Sequence, residues 1–207
     1  VNESDPFIAA RTFDIQLDDG MQVRIRPIVP ADRDDLAQGM EELSEESRYL
    51  RFLRSVDHLS GRELSYLTDV DYDTHFAWVA MEMTEEDRHG IGVARYVLID
   101  HGLAEAAVVV LDRYQRMGLG GILLRLVAES AYENGIRRFR AWVAPGNTVV
   151  TKLAERWHLA RRTEEGAVVI DMPLPLPTAS LVDSSLYETL REAAAGRIHI
   201  EDGHADA

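Results

Sequence analysis

The residues best suited to chemistry lie in the run from Val108 to Leu124. It begins as an apolar β-type stretch and passes through a short charged turn. The segment Gln115-Arg116-Met117-Gly118-Leu119-Gly120 follows, and after Gly121 an amphipathic helix begins. Glycines at such a junction remove Cβ atoms and let a ligand approach the backbone, while a helix start offers N–H donors and a positive end. That combination favours an anion, typically a phosphate. A P-loop is excluded, because Ile122 rather than Lys follows Gly120-Gly121, and a dinucleotide fingerprint fails because Leu123 stands where its third glycine belongs. A Gln/Arg-x-x-Gly-x-Gly/Ala pattern remains, which a plain strand-to-helix turn would also explain. Upstream, Glu105 is the lone acid among Ala104, Ala106, Ala107 and Val108. A carboxylate in apolar company binds protons more readily and can act as a base near neutral pH, directly or through a water. The other reading of Glu105 is a solvent-facing residue at the start of a strand.

The elements that must position these residues follow from periodicity and punctuation. Met21–Pro27 alternates Val23 and Ile25 against Arg24 and Arg26, the pattern of a half-buried strand. Pro30-Ala31-Asp32 opens a helix to about Met40, Ser44 caps a second over Glu45–Leu53, and Ser60 a third to about Leu67. Phe76–Met83, Ile91–Ile99 and Ala104–Leu111 are strands joined by a charged turn at Thr84–Gly90 and a tight one at His101-Gly102. Ile122, Leu123, Leu126, Val127, Ala131 and Tyr132 trace the apolar face of the helix after the glycines, which closes at Asn134-Gly135. Strand Arg138–Val143, helix Asn147–Trp157 and strand Val168–Met172 complete the order. Pro173, Pro175 and Pro177 then mark a boundary, and Leu181–Ala195 is a last amphipathic helix. The fold class is α/β or mixed α+β with a twisted sheet. The organisation expected is an N-terminal extension over 1–20, a domain over 21–177 and a helical tail over 178–207.

Composition narrows the classes. The chain has 207 residues, 46% hydrophobic and 28% charged, which suits one soluble globular domain with an appendage. No apolar run approaches the roughly 20 residues needed to span a bilayer, and the polar start Val1–Pro6 is no signal peptide. No membrane association and a cytoplasmic location are expected. The absence of cysteine excludes disulfides and thiolate chemistry. The net charge is −14, yet residues 113–162 carry ten basic side chains against Glu129, Glu133 and Glu155. Basic charge gathers around the glycine loop as an anionic ligand requires, and the acidic remainder argues against nucleic acid and suits a cationic acceptor. No metal site is expected: His199 and His204 lack helix spacing, and Asp69, Asp71 and Asp73 lack the glycine and terminal glutamate of a calcium loop.

The element order and four segments together resemble the GNAT N-acetyltransferases. Arg26-Pro27-Ile28-Val29-Pro30-Ala31-Asp32 resembles the family's opening, Gln115–Gly120 its acetyl-CoA motif, and Asn147 its next helix start. Trp157-His158-Leu159 departs from the usual Gly-Phe turn. Ser44–Phe52, Asp71-Tyr72-Asp73 and Ala104–Val109 are similar to the acetyltransferase domain of bacterial Pat-type protein lysine acetyltransferases. The resemblance implies a mostly antiparallel twisted sheet with a splayed central strand pair and helices on both faces. It implies acetyl-CoA as donor, an amine acceptor (a protein lysine first, a small amine second) and Glu105 as catalytic base. Val108 and Val110 would bond the pantetheine arm, and the N–H groups of Arg116, Met117, Gly118, Leu119, Gly120 and Gly121 the pyrophosphate. Gln115 either joins them or braces the loop; Asn147 either bonds the pantetheine or only caps its helix. Arg113 and Arg116 either meet phosphates or stay solvated, and Ser47 and Tyr49 either line the acceptor site or pack their helix.

The family's usual general-acid tyrosine, seven residues after the asparagine, is Ala154 here, with Tyr132 and Tyr187 as candidates to replace it. That departure leaves room for an acyl-CoA-binding sensor without turnover. A cyclic-nucleotide domain, which some Pat-type members carry upstream, is not expected in the first 20 residues. Tyr66, Trp78 and Trp142 read as core aromatics. The tail helix offers an apolar face either to its own domain or to a second copy in a homodimer.

Overall fold

In the computed structural model, residues 4–84, 88–177 and 184–198 are described. Their strands are β1 (Phe13–Gln16), β2 (Gln22–Pro27), β3 (His75–Met83), β4 (Arg88–Asp100), β5 (Leu103–Val110), β6 (Arg138–Val143), β7 (Arg161–Glu164) and β8 (Ala167–Pro173). They form one sheet in the order β1-β2-β3-β4-β5-β6-β8-β7. Every neighbouring pair is antiparallel except β5 and β6, which run parallel. The expected turn between β3 and β4 includes residues 85–87, outside the described residues, as do Glu201–Ala207 and residues 178–183 before the tail helix.

Helices cover both faces. After α1 (Pro6–Ala9), helices α2 (Arg33–Glu42), α3 (Glu45–Phe52) and α4 (Gly61–Thr68) form a group. They lie over the face that carries Val79, Val93 and Val109. Their starts follow the expected caps: Ser44 Oγ accepts from the Ser47 N–H at 3.1 Å, and the Glu63 carboxylate accepts in return from the Ser60 N–H at 2.8 Å. Helix α5 (Leu119–Glu133) crosses the opposite face, where Trp78 Nε1 donates to Ser130 Oγ at 3.0 Å. It packs so closely that a Cβ on Gly92 would stand 3.0 Å from Leu123 Cδ1. Helices α6 (Thr148–Arg156) and α7 (Ser184–Ala194) follow.

Several sequence expectations need correction. β1 and β7 are additions to the expected strands: each is only four residues long, so the Phe13/Ile15 alternation of β1 is too short to stand out, and β7 is exposed throughout with no apolar alternation. Residues 6–16 are not merely polar extension, since Ile8 and Phe13 are buried and β1 pairs β2. Tyr132 is exposed rather than on the buried face of α5. That helix is instead buried on a second side, around Arg125, Ala128 and Glu129. There α7 packs against it, with Leu190, Ala193 and Ala194 buried in the shared core. The apolar face of the tail helix is thus covered by its own domain. Arg125 Nη1 donates to the Leu176 carbonyl at 2.9 Å and lies 3.6 Å from Glu129, fixing the proline segment to α5. Trp78 is core, but Tyr66 is exposed and Trp142 only half-buried.

Buried charge organises the helical face. Arg26 meets Asp32 through two hydrogen bonds of 2.7 and 2.5 Å, and Asp32 also accepts from the Val29 N–H at 2.8 Å. This pair fixes the angle between β2 and α2. Nearby, Arg95 Nη1 lies 3.1 Å from His75 Nε2 and donates to the Leu67 carbonyl at 3.1 Å. Burial first, and the Arg95 charge second, pull the His75 imidazole down to about 4, so it is neutral and accepts that bond.

Asp32→Ala leaves a buried, uncompensated guanidinium and should cost about 3–5 kcal/mol in urea denaturation, an effect far above that of an exposed pair. The depressed His75 value sets a pH dependence. Its stabilisation is complete above the ordinary 6.5 and is lost as pH falls toward 4, because the unfolded chain then binds the proton that the folded chain refuses. Stability measured between pH 4 and 7 should therefore rise with pH, and more gently in His75→Gln.

Candidate active site

The parting of β5 from β6 creates the site. The two strands pair at Leu103↔Arg138, Ala104↔Phe139 and Glu105↔Arg140, and no further. On its other edge β5 stays paired with β4 to Val110, and the Leu111 N–H donates to Ile91 at 3.0 Å. Antiparallel alternation then turns the peptide groups of Glu105, Ala107 and Val109 toward β4, and those of Ala106, Val108 and Val110 toward the opening. The Val110 carbonyl confirms this direction, since it accepts from Gln115 Nε2 at 3.1 Å.

Glu105 stands at the fork, in the last paired register position. The expectation that it sits in apolar company is overturned by strand alternation: Ala104 and Ala106 are buried on the α5 face, and Glu105 projects from the other, exposed. The charge it meets there is that of Arg51 on α3. Burial pulls the Arg51 guanidinium below its ordinary value, and the Glu105 carboxylate works in the opposite sense. Arg51 was not singled out from the sequence, because nothing local connects residues so far apart.

The loop after β5 is a short 3₁₀ turn, Asp112–Tyr114, followed by the glycine segment. Asp112 is its anchor. Its carboxylate accepts from the Ser44 N–H at 2.9 Å, Ser44 Oγ at 2.7 Å and Ser47 Oγ at 2.8 Å, tying the loop to the start of α3. Partial burial opposes its charge, but these bonds prevail and hold the carboxyl below its usual value. Tyr114 adds a bond of 2.5 Å to Glu82 of β3. Gln115 bridges the same parts, from the Val110 carbonyl to Ser47 Oγ at 3.3 Å, so its amide braces the loop.

Arg116 and Gly118 both have positive φ, 68° and 83°. Gly118 is the N-cap of α5 without a side-chain cap, and a Cβ built there meets nothing within 4 Å. The backbone is open to an incoming group at that point. The side chains of Met117 and Leu119 turn into the core, so only their peptide groups are available. Gly120 is half-buried beside Val110, while the N–H of Gly121 is taken by the Gly118 carbonyl at 2.9 Å.

Asn147 caps α6, its Oδ1 accepting from the Val150 N–H at 3.1 Å, so any ligand contact falls to its Nδ2. Ala154 is buried in the core, and His158 adopts φ 54° where the resembled family turns on glycine. Tyr132 lies under Arg137, at the far end of α5, and the Arg125 guanidinium sits 5.1 Å over the Tyr187 ring on α7. Neither tyrosine is brought to the fork.

Part of the basic excess of residues 113–162 is structural rather than a cradle for the loop. Arg140 and Arg162 pair with Asp171, Arg161 with Glu155, and Arg125 with Glu129. Arg113, 3.4 Å from Glu42, and Arg116 are the two that belong to the loop. Beyond the fork lies a cavity of about 720 Å³ lined by Tyr49 and Leu53 of α3, Trp142, Pro145 and the β7–β8 turn Glu164–Ala167. Asp71 closes a turn through the Asp73 and His75 N–H groups and Thr74 Oγ1. Among the described residues no three metal-ligating side chains come together, and no helix is long and apolar enough to cross a membrane.

Comparison with known proteins agrees with this geometry. The family model "Acetyltransferase (GNAT) family" matches residues 38–158. Acetyltransferase PA5475 of Pseudomonas aeruginosa is 33% identical over 138 residues, covering 66% of this chain and 74% of that one. Acetyltransferase Pat of Mycolicibacterium smegmatis is 33% identical over 183 residues, 86% of this chain but 54% of the relative, so the chain spans about half of that protein. The crystal structure of the GNAT domain of S. lividans PAT superposes with a TM-score of 0.71 at 30% identity, covering 80% of this chain and 98% of that domain. A family model over more than half of the chain, the parted strands and the glycine-capped helix agree: this protein is a member of the GNAT acetyltransferase family.

Proposed function

We propose that the protein transfers an acetyl group from acetyl-CoA directly to an amine, with a protein lysine as acceptor and Glu105 as general base. The observation that carries this reading is the position of Glu105 at the last β5–β6 pair, where the strands open toward the capped end of α5. The residues present fit the donor. Val108 and the Val110 N–H face the opening, where they suit the amides of a pantetheine arm. The peptide groups of Arg116–Gly120 and the positive end of α5 suit a pyrophosphate. The Arg113 and Arg116 guanidinium groups and Asn147 Nδ2 stand at its edges.

When bound, acetyl-CoA supplies an activated thioester carbonyl. The chain supplies the rest. An N–H in the opening, that of Val108, polarises the carbonyl oxygen where negative charge grows. Glu105 takes the proton from the amine, directly or through a water, and the new C–N bond replaces the C–S bond. Ala154 offers no proton to the departing sulfur, but a thiol with an ordinary pKa of roughly 8.5 leaves tolerably as thiolate. The protein-lysine acceptor is supported by the similarity to Pat and by the open cavity beside α3, whose Glu165 suits a cationic side chain, while Glu164 is held by Arg162.

The test is CoA release and mass spectrometry with lysine-bearing proteins, polyamines and amino acids as acceptors. Protein lysine should be acetylated, and Glu105→Gln should lower kcat about 10²–10⁴-fold with acetyl-CoA binding unchanged. Unchanged turnover in that variant removes Glu105 from the base role, and turnover on small amines alone overturns the acceptor. Gly118→Val, which forces a β-branched residue to φ 83°, should do the converse and weaken acetyl-CoA binding at least about tenfold in calorimetry.

A further inference from the structure

Three buried arginines stand under the helices and sheet, and two of them have a carboxylate at hand: Arg26 has Asp32 and Arg125 has Glu129. Arg95 does not. It is 6% exposed, and among the described residues no carboxylate lies within 4 Å of it. Its Nη1 is bonded to two neutral acceptors, the Leu67 carbonyl and His75 Nε2, each at 3.1 Å. Burial first, and the charge of a second cation, Arg51, after it, pull Arg95 down to about 9. A buried guanidinium without a counter-ion is costly, and a second one beside it raises the cost.

Both arginines line the same cleft, which runs between the sheet and helices α2 to α4 with a volume of about 80 Å³. One water needs roughly 10–15 Å³ of such space, so the cleft holds a ligand of several heavy atoms. Away from the arginines its walls are mostly apolar, among them Phe52, Leu59, Val93 and Val109, with Asp35 of α2 as a further polar lining residue. Asp32 lines the far end, where it is already committed to Arg26. The cleft is separate from the cavity beside Trp142: Arg51 and Phe52 of α3 face the cleft, and Tyr49 and Leu53 face the cavity.

We propose that this cleft is a binding site for a short aliphatic monocarboxylate, with its carboxylate between Arg51 and Arg95 and its alkyl chain between Phe52, Leu59, Val93 and Val109. The arginine pair supplies the donors and charge that a carboxylate takes. The apolar walls select a tail over a bare anion. The narrowness selects a free small acid over a peptide. Arg51 also faces Glu105, so occupancy of the cleft is felt at the fork.

The probe is hexanoate, titrated into the full 207-residue protein by calorimetry without acetyl-CoA or any amine. The result therefore does not depend on the role of Glu105. Hexanoate should bind, and 1-hexanol, hexylamine and sulfate should bind at least about tenfold more weakly. Arg51→Gln, on the half-buried side of α3, should weaken hexanoate at least about tenfold. Ala107→Leu, which fills the cleft beside Arg95, should do the same without touching either arginine. Circular dichroism checks that both variants fold, and where one does not, the ligand series on the unaltered protein decides between support and refutation. Absence of hexanoate binding at millimolar concentration, sulfate binding as tight as hexanoate, or undiminished binding to both folded variants overturns the proposal.

Discussion

Two parallel strands that stop pairing after three residues govern this molecule. A sheet satisfies its backbone by pairing each strand on both edges, and an interior strand with an open edge needs another source of partners. β5 resolves this unequally. On the β4 side its ladder is complete, and on the β6 side it ends at Glu105↔Arg140. The Val110 carbonyl takes the Gln115 side chain, and the other peptide groups that face the opening remain available to a ligand. Everything around the fork serves to keep it open. α5, itself covered by α7, braces β5 from one face, and the chain beyond β6 is fixed by the β7–β8 hairpin and the Arg140–Asp171 pair.

The sequence was most legible where local chemistry decides structure. The Ser44 and Ser60 caps, the Arg26–Asp32 opening and the strand–glycine–helix junction each follow from side chains within a few residues of one another. The positive φ at Gly118 and its open surroundings are what the glycine pattern requires. Legibility ended where partners are distant in sequence. Asp112 draws its three donors from Ser44 and Ser47, and Arg95 stands beside Arg51; no period or spacing foretells either. The expectation that Glu105 lies in apolar surroundings failed for a different reason. Its neighbours in sequence are apolar, but a strand sends alternate residues to opposite faces, so sequence company is not spatial company. Regional charge misled similarly, because arginines such as Arg125 and Arg140 were already paired within the fold.

The two faces of the sheet divide the labour. The α5 face is a continuous apolar core that reaches from Phe13 to the tail helix. The α2–α4 face has a smaller apolar cluster around Ile28 and Val79, together with buried ions and an unfilled cleft. The larger apolar core lies on the first face, and the polar chemistry on the second. Glu105 points to the second.

Asp112 joins what would otherwise be independent walls. One carboxylate gathers the N-terminus of α3 and the loop before α5 into a single mechanical unit, with Gln115 as a second strut. Whatever stiffens the loop also stiffens the helix that flanks the cavity beside Trp142, and thermodynamic reciprocity requires the same influence in return. Under the proposed function the donor loop and the acceptor cavity share this one wall, and binding at either is expected to alter the affinity of the other.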